Sequence, residues 1–283
     1  MGDEWLGQVI EGAYDAAVEG GWYDWLNGLR RSLGGSGAVL ALLTKGSEAY
    51  RALPIACGDP SLSTGRLQHY LSLRHSDPWY QQARRQRNQV VILDEALRRC
   101  RADTELSTLF GDIDCHYSVG SILSTDHGHH LLGLYRGAEQ SDFCPGQLKA
   151  IELVSRHLRQ AMALTPFLHE RIASRLADSR LSHPECPQAV VRANGTLAFA
   201  NAAMEHYLCD RHTQLKFRRG RLGARQPLLQ RLLDRAQTQA CQTELTHCQQ
   251  GRLPLGSDTV TITPVPQSVL PGAALWQIQP PAG

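Results

Sequence analysis

Long hydrophobic runs are missing from this sequence. In 283 residues the longest uninterrupted apolar stretch is Ala38 to Leu43, far shorter than the roughly 20 residues that a membrane-spanning helix needs. The amino-terminal stretch MGDEWLGQV is acidic and has no apolar core of the kind found in secretory signal peptides. We therefore expect a cytoplasmic protein that makes no contact with a membrane.

An excess of charge of one sign is also missing. The 29 Lys and Arg residues are nearly balanced by 27 Asp and Glu residues, so the formal net charge at pH 7 is +2. A protein that binds nucleic acid usually carries a strong basic field. The longest basic stretch, Arg211 to Arg235, has no helix-turn-helix pattern. We expect that stretch to be solvated surface or a contact with a partner.

Motifs of enzymes and of common metal centres are incomplete. The eight cysteines are spread along the chain without a Cys-x-x-Cys pair, which argues against a zinc ribbon or a thioredoxin-like site. Gly34 to Gly37 (GGSG) lacks the second half of a nucleophile elbow. His183-Pro184-Glu185 lacks the Pro-Cys-x-x-Cys that completes the zinc deaminase signature. We expect no enzymatic activity.

Two remaining patterns that suggest a cofactor have an ordinary structural explanation. A compact cluster of possible metal ligands consists of Asp126, His127, His129 and His130. A solvated hairpin turn explains that cluster without a metal. Cys144-Pro145 and Cys186-Pro187 resemble the short haem-regulatory dipeptide, but proline suits the start of a helix after Cys144 and Pro187 precedes a strand. We expect no metal and no cofactor, with haem at Cys144 or Cys186 as the alternative.

The length is sufficient for two domains of about 100–160 residues each. Apolar spacing in the first half predicts helices at 5–19, 22–33, 63–75, 80–87 and 94–109, strands at 36–44, 89–93, 117–125 and 131–136, and a long helix from about 145. Helices before, between and after a sheet with a central hairpin are typical of small-molecule sensor modules of the GAF type. The first half is therefore predicted to be such a module.

The second half opens with a strong hairpin signal. Asn194-Gly195 separates two short apolar runs, and Asn201 is placed to cap the helix that follows. The predicted strands of this half are 189–193, 196–200, 259–265 and 273–279. Together they can form an antiparallel sheet.

Four stretches together resemble the sensor half of LuxR-type bacterial transcriptional regulators. They are AYDAAVEGGWYDWLNGLRRSLGGSGAVLAL, HYLSLRHSDPWYQQARRQRNQVVILDEAL, SVGSILSTDHGHHLLGLYRGAEQSDFCPGQLKAIELVSRHLRQAMAL and VVRANGTLAFANAAMEHYL, the last of which is similar to the opening of a PAS domain. The resemblance implies an α+β chain: a GAF-like α/β/α sensor domain at 1–145, a connecting and dimerisation helix at 146–182, and a PAS-like antiparallel-sheet domain at 183–283.

The same resemblance implies a function. Regulators of this type continue into a helix-turn-helix, whereas this chain stops at QIQPPAG. The expected function is to bind a small organic molecule and to control transcription through a DNA-binding domain that is not in this chain. The alternative is a stand-alone small-molecule-binding protein that acts by pairing with a full-length regulator.

The resemblance also gives candidate ligand-binding residues: Tyr70, Asp77 and Trp79 in HYLSLRHSDPWY. In the related autoinducer-binding domains, a Tyr and an Asp-Pro in this region help to hold an acyl-homoserine lactone, but a Trp that those domains carry before the Tyr is absent here. The competing interpretation is that the two aromatic residues belong to the core. In that interpretation Asp77 only caps the helix that begins at Pro78.

Apolar residues with heptad spacing follow in the long helix. The predicted dimerisation residues are Ile151, Val154, Leu158, Leu168 and Ile172, in a pattern typical of a helix that pairs with a second copy. Pro166 is expected to kink this helix or to start a second one. The alternative is that the stripe packs on the sheet of the first domain. We expect a homodimer.

Overall fold

The computed structural model describes residues 3–43, 55–58, 64–101, 105–126, 128–209, 213–218, 220–242 and 251–279. Its helices are α1 (Asp3–Glu19), α2 (Trp22–Ser32), α3 (Thr64–Leu73), α4 (Pro78–Arg85), α5 (Glu95–Arg101), α6 (Glu105–Asp112), α7 (Pro145–Asp178), α8 (Ala202–Cys209) and α9 (Pro227–Gln242), with a 3-10 turn at Arg74–Ser76. Its strands are β1 (Gly37–Leu43), β2 (Ile55–Gly58), β3 (Val91–Ile92), β4 (Tyr117–Thr125), β5 (Gly128–Arg136), β6 (Gln188–Arg192), β7 (Leu197–Ala200), β8 (Leu215–Arg218), β9 (Arg221–Ala224), β10 (Gly251–Leu255), β11 (Asp258–Pro264) and β12 (Ala273–Gln279).

The chain forms two compact units. Unit 1 comprises Met1–Leu164 and unit 2 comprises Thr165–Gly283, so the division falls within α7. Helix α7 passes through position 166 as one continuous helix, so the expectation that Pro166 starts a second helix is wrong.

Unit 1 is built on a five-stranded antiparallel sheet of order β2-β1-β5-β4-β3. Because side chains alternate along each strand, the sheet has two apolar faces. One face, with Leu40, Val119 and Leu134, packs on α1, α2 and the first half of α7. The other face, with Ala41 and Leu131, packs on α3, α4 and α5. We call this second face the inner face of unit 1.

Unit 2 has a sheet of the same relative order. Its five-stranded sheet runs β10-β11-β12-β6-β7. When the strands of each five-stranded sheet are counted along the chain, the fifth one (β5 in unit 1, β12 in unit 2) lies in the centre, between the first and the fourth. Val190 and Leu275 on one face pack with Ile172 and Leu176 from the second half of α7. The other face, the inner face of unit 2, packs on α8, α9 and the small β8-β9 hairpin.

Local chemistry explains the turn that opens unit 2. Gly195 has a φ of +81°, a conformation that glycine adopts at little cost. The Asn194 side-chain oxygen accepts a hydrogen bond from the Thr196 amide at 2.9 Å. Asn201 accepts one from the Met204 amide, also at 2.9 Å, and so caps α8 as the sequence predicts.

The helix predicted at 94–109 corresponds to α5 and α6, and 102–104 between them lie outside the described residues. One predicted strand boundary is wrong. The second strand of the first hairpin begins at Gly128 rather than at residue 131, because Thr125 pairs with Gly128. His129 and His130 therefore belong to β5 instead of the turn, and since they are consecutive strand residues they point to opposite faces of the sheet.

The predicted fold class is confirmed. Helices and antiparallel sheets alternate along the chain, giving an α+β architecture of two units, each with a five-stranded antiparallel sheet.

Candidate ligand cavity

A cavity lies in unit 1 between the inner face of the sheet and the helices that cover it. Its volume is about 70 Å³, enough for several water-sized groups and below the roughly 300–1,000 Å³ of typical drug-sized ligand sites. The sheet contributes Val39, Leu131 and Gly133 to the lining, and α6 contributes Leu109 and Phe110. Most of the lining is apolar.

The corner between α3 and α4 supplies the polar part of the wall. Asp77 precedes Pro78 and has an extended backbone (φ −79°, ψ 116°), as expected for a residue before proline. Pro78 occupies the first turn of α4, where no amide hydrogen is needed. The Asp77 side chain accepts a hydrogen bond from the Trp79 amide at 3.1 Å. Asp77 is therefore the N-cap of α4.

Asp77 also joins α3 to α4. Its second carboxylate oxygen accepts a hydrogen bond from the Tyr70 hydroxyl at 3.0 Å, and the residue is 0% exposed. The Tyr70 ring meets Phe110 of α6 edge to face, with 5.6 Å between ring centroids. The buried carboxylate is thus held in one position at the cavity wall by two donors.

Trp79 fixes α4 against the edge of the sheet. Its indole Nε1 donates to the Val91 carbonyl oxygen at 3.0 Å, and the side chain is 4% exposed. Because a buried indole nitrogen needs an acceptor, this bond places the ring between α4 and β3. Trp79 consequently serves the core of unit 1 and lines the cavity at the same time.

A glycine on β5 leaves room for the cavity. A Cβ added to Gly133 would meet no atom within 4 Å, and the backbone there does not have a positive φ. Gly37, on the neighbouring strand, differs because a Cβ there would overlap the ring of Tyr135. The open space at the centre of the sheet therefore depends on the missing side chain of Gly133.

Two exposed side-chain contacts connect α3 and α6 beside the cavity. Arg66, which lines the cavity, lies 3.4 Å from Asp112, nitrogen to oxygen. His69 lies 2.9 Å from Glu105. Arg66 is the basic side chain among the described lining residues, and 38% of its side-chain surface is exposed.

The structure brings the three predicted ligand residues, Tyr70, Asp77 and Trp79, to one wall of one cavity. The capping and core contacts that formed the competing interpretation are present as well. A role in ligand binding therefore stays a prediction for all three residues. Sequence reasoning missed Gly133 and the α6 residues, because nothing local in the sequence marks them as neighbours of this wall.

The predicted dimerisation residues are divided between two cores. Ile151, Val154 and Leu158 are at most 1% exposed in the core of unit 1, and Ile172 is 8% exposed in the core of unit 2. Leu168 is partly exposed. The first three residues thus pack on their own sheet, as the alternative proposed, and the homodimer itself stays a prediction.

The other candidate sites lie elsewhere. Cys144 is exposed, and its carbonyl oxygen accepts from the Leu148 amide at 3.0 Å at the start of α7. Cys186 is partly exposed. Among the described residues no group of three or more Asp, Glu, His or Cys residues is arranged to hold a metal; His127 and part of the 211–235 stretch lie outside them. No helix in the described ranges is long and apolar enough to cross a membrane.

Comparisons with known proteins complete this description. No protein-family model and no curated protein matches the chain. Among solved structures it is similar to the VqsR LBD domain from Pseudomonas aeruginosa, with 18% identity over 59% of this chain and 97% of that chain and a TM-score of 0.39. It is also similar to the bacteriophytochrome RpBphP3 from R. palustris (9% identity, 99% and 63% coverage, TM-score 0.34) and to the E. coli DhaR(N)-DhaL complex (14%, 100% and 91%, 0.29).

Proposed function

We propose that unit 1 is a sensor that binds a small organic molecule in the cavity between its sheet and α3, α4 and α6. The observation that carries this proposal is the cavity itself, which combines a mostly apolar lining with one buried, immobilised carboxylate. Apolar walls with a few fixed polar groups are the usual composition of small-molecule sites. The chain is then the sensory part of a LuxR-type transcriptional regulator, as the sequence resemblance implies.

The structure supports this proposal through the position of the polar groups. Two helices, α3 and α4, meet at Asp77, because the carboxylate contacts both the Tyr70 hydroxyl and the Trp79 amide. A ligand that alters these contacts changes how α3 and α4 sit on the sheet of unit 1. In a sensor domain, such a local change shifts the equilibrium between two conformations of the protein. The proposal assigns no chemical reaction to the cavity, and the effect on transcription requires a DNA-binding domain outside this chain.

A cavity-filling substitution tests the proposal. The probe is N-phenyl-1-naphthylamine, an uncharged dye whose fluorescence rises in apolar surroundings. Gly133→Leu adds a side chain at a residue that lines the cavity, and its Cβ meets no atom within 4 Å, so we expect the dye to bind the unaltered protein and to lose at least tenfold in affinity for this variant.

The matched control is Gly7→Leu. Gly7 is exposed on α1, and a Cβ there also meets no atom within 4 Å, so the same change in chain composition leaves the cavity open. Equal dye binding by the two variants, or no binding by the unaltered protein, contradicts the proposed function.

A further inference from the structure

We infer that the cavity takes an amphipathic carboxylate: a small acid whose apolar part lies under the sheet and whose carboxylate pairs with Arg66. This inference rests on the proposed function of the cavity and names the class of its ligand. It follows from where the cavity is charged, where it is buried, and how Arg66 is paired.

The cavity is polarised from one end to the other. Arg66 and Tyr70 are four residues apart on α3, about 6 Å along the helix axis. Tyr70 leads inward to Asp77, which is 0% exposed, whereas 38% of the Arg66 side chain is exposed. The cation therefore lies towards the opening, and the apolar space and the buried carboxylate lie behind it.

This distribution selects among ligand charges. A ligand anion next to Asp77 would be repelled in a poorly solvated place. At the opening it meets a guanidinium, whose planar set of donors matches a carboxylate better than any other side chain does. A ligand with an apolar body and a carboxylate at one end satisfies both ends of the cavity.

The contact between Arg66 and Asp112 can be exchanged for one with such a ligand. The two side chains lie 3.4 Å apart, nitrogen to oxygen, and 51% of the Asp112 side chain is exposed. Exposed pairs of this kind contribute little stability. A ligand carboxylate held by its apolar body in the cavity has a higher effective concentration beside Arg66 than solvent anions do. Asp112 then acts as a competitor for the ligand carboxylate.

The experiment compares two probes of equal chain length, octanoate and octan-1-ol, by isothermal titration calorimetry at pH 7.5. We expect octanoate to bind the unaltered protein about tenfold more tightly than octan-1-ol, as a charge-assisted hydrogen bond would give. Arg66→Gln is expected to abolish this preference. Asp112→Asn removes the competing carboxylate and is expected to increase the preference about threefold.

A control variant removes the neighbouring contact between His69 and Glu105. His69→Gln breaks the contact with Glu105, which also joins α3 to α6 but involves no lining residue, so the acid-to-alcohol preference is expected to persist. If octan-1-ol binds in a manner that Gly133→Leu abolishes and octanoate binds no more tightly, the carboxylate inference is overturned while the sensor function stands. If His69→Gln and Arg66→Gln lose the preference equally, helix contact rather than charge recognition explains it and the inference also fails. If neither probe binds while the dye does, the inference fails and the sensor function stands; if the dye does not bind either, both fail.

Discussion

The two units have sheets of the same strand order, but their central strands carry residues of very different size. In unit 1 the central strand is β5, and it presents Gly133 to the inner face. In unit 2 the central strand is β12, and it presents Trp276 to the inner face, where this side chain is 2% exposed. One strand order thus carries the smallest residue in one unit and the largest in the other. The contrast shows that the contents of the inner face are set by individual side chains rather than by topology.

The buried polar side chains of the two units also differ in what they contact. In unit 2, Gln237 of α9 donates to the Val191 carbonyl oxygen at 2.8 Å and to that of Arg192 at 3.1 Å, and it accepts a hydrogen bond from the Trp276 indole. This amide is 4% exposed and joins α9 to the sheet directly. In unit 1, Asp77 joins two helices to each other and faces open space. The buried polar side chain of unit 2, Gln237, therefore holds a helix on the sheet, whereas that of unit 1, Asp77, lies beside a cavity.

The largest expected effect comes from removing the tryptophan of unit 2. Trp276→Ala is expected to lower the stability of unit 2 by about 3–5 kcal/mol, because it leaves a cavity and deprives Gln237 of a donor. Hydrogen exchange followed by mass spectrometry, read on peptides from β11 and β12, measures this loss separately from unit 1.

Trp276→Phe is the matched variant, because it retains a ring and loses only part of the volume. It is expected to lose less stability than Trp276→Ala. A loss below about 1 kcal/mol for Trp276→Ala would show that the inner face of unit 2 does not depend on this side chain, and the contrast with Gly133 would then lose its meaning.

The sequence predicted the features that depend on neighbours along the chain. The Asn194-Gly195 turn, the Asn201 cap and the Asp77 cap each involve residues within a few positions of one another. Such contacts follow from short-range backbone chemistry. One wall of the cavity carries Tyr70, Asp77 and Trp79. This arrangement also depends on neighbours along the chain, since the three residues lie within ten positions of each other.

The features that the sequence did not predict depend on packing across the fold. Gly133 is 56 residues from Asp77 in the chain, and a glycine in a strand indicates a bulge, a close approach or an open space equally well. The segment with His129 and His130 was predicted to be part of a polar turn, because these two polar residues directly follow Gly128. The pairing of Thr125 with Gly128 extended the strand instead. Only tertiary pairing decides between these outcomes.

A second prediction concerns how much Asp77, the buried polar group at the cavity, contributes to the stability of unit 1. Asp77→Ala is expected to lower the stability of unit 1 by about 2–3 kcal/mol, because α4 loses its cap and the Tyr70 hydroxyl loses an acceptor. Asp77→Asn retains an oxygen at the cap and is expected to lower it by less than about 1 kcal/mol. Urea unfolding followed by circular dichroism measures both. Equal losses for the two variants would contradict the dual role that the structure gives this carboxylate.

A third prediction compares two glycines on adjacent strands. Gly133→Leu is expected to change the stability of unit 1 by less than about 1 kcal/mol, since the added Cβ meets no atom within 4 Å and the residue lines the cavity. Gly37→Leu is expected to cost about 1–3 kcal/mol, because the new side chain overlaps the Tyr135 ring. Thermal unfolding of both variants tests this difference. If Gly133→Leu is as costly as Gly37→Leu, the space beside Gly133 does not exist in solution.

The smallest expected effect is a pH dependence that belongs to unit 1. Cys57 on β2 is 4% exposed, and burial raises the pKa of its thiol to about 11, with Arg30 opposing part of that rise. In the unfolded chain the same thiol has its ordinary pKa of 9.0. The neutral thiol thus stabilises the folded state fully below pH 9, and this contribution is lost as the pH rises from 9 to 11.

Between pH 7.5 and 9.5 this loss is expected to be less than about 1 kcal/mol. Other groups also titrate in this range, so the measured quantity is the difference between the unaltered protein and Cys57→Ala in urea unfolding at each pH. The unaltered protein should approach the variant in stability as the pH rises. The matched variant in unit 2 is Cys241→Ala, which removes a partly exposed thiol whose pKa is raised by burial and lowered by its contact with Gln237. A smaller pH dependence is expected there, because Cys241 is less buried than Cys57; an equal or larger one would show that the thiol of unit 1 is not the more enclosed of the two.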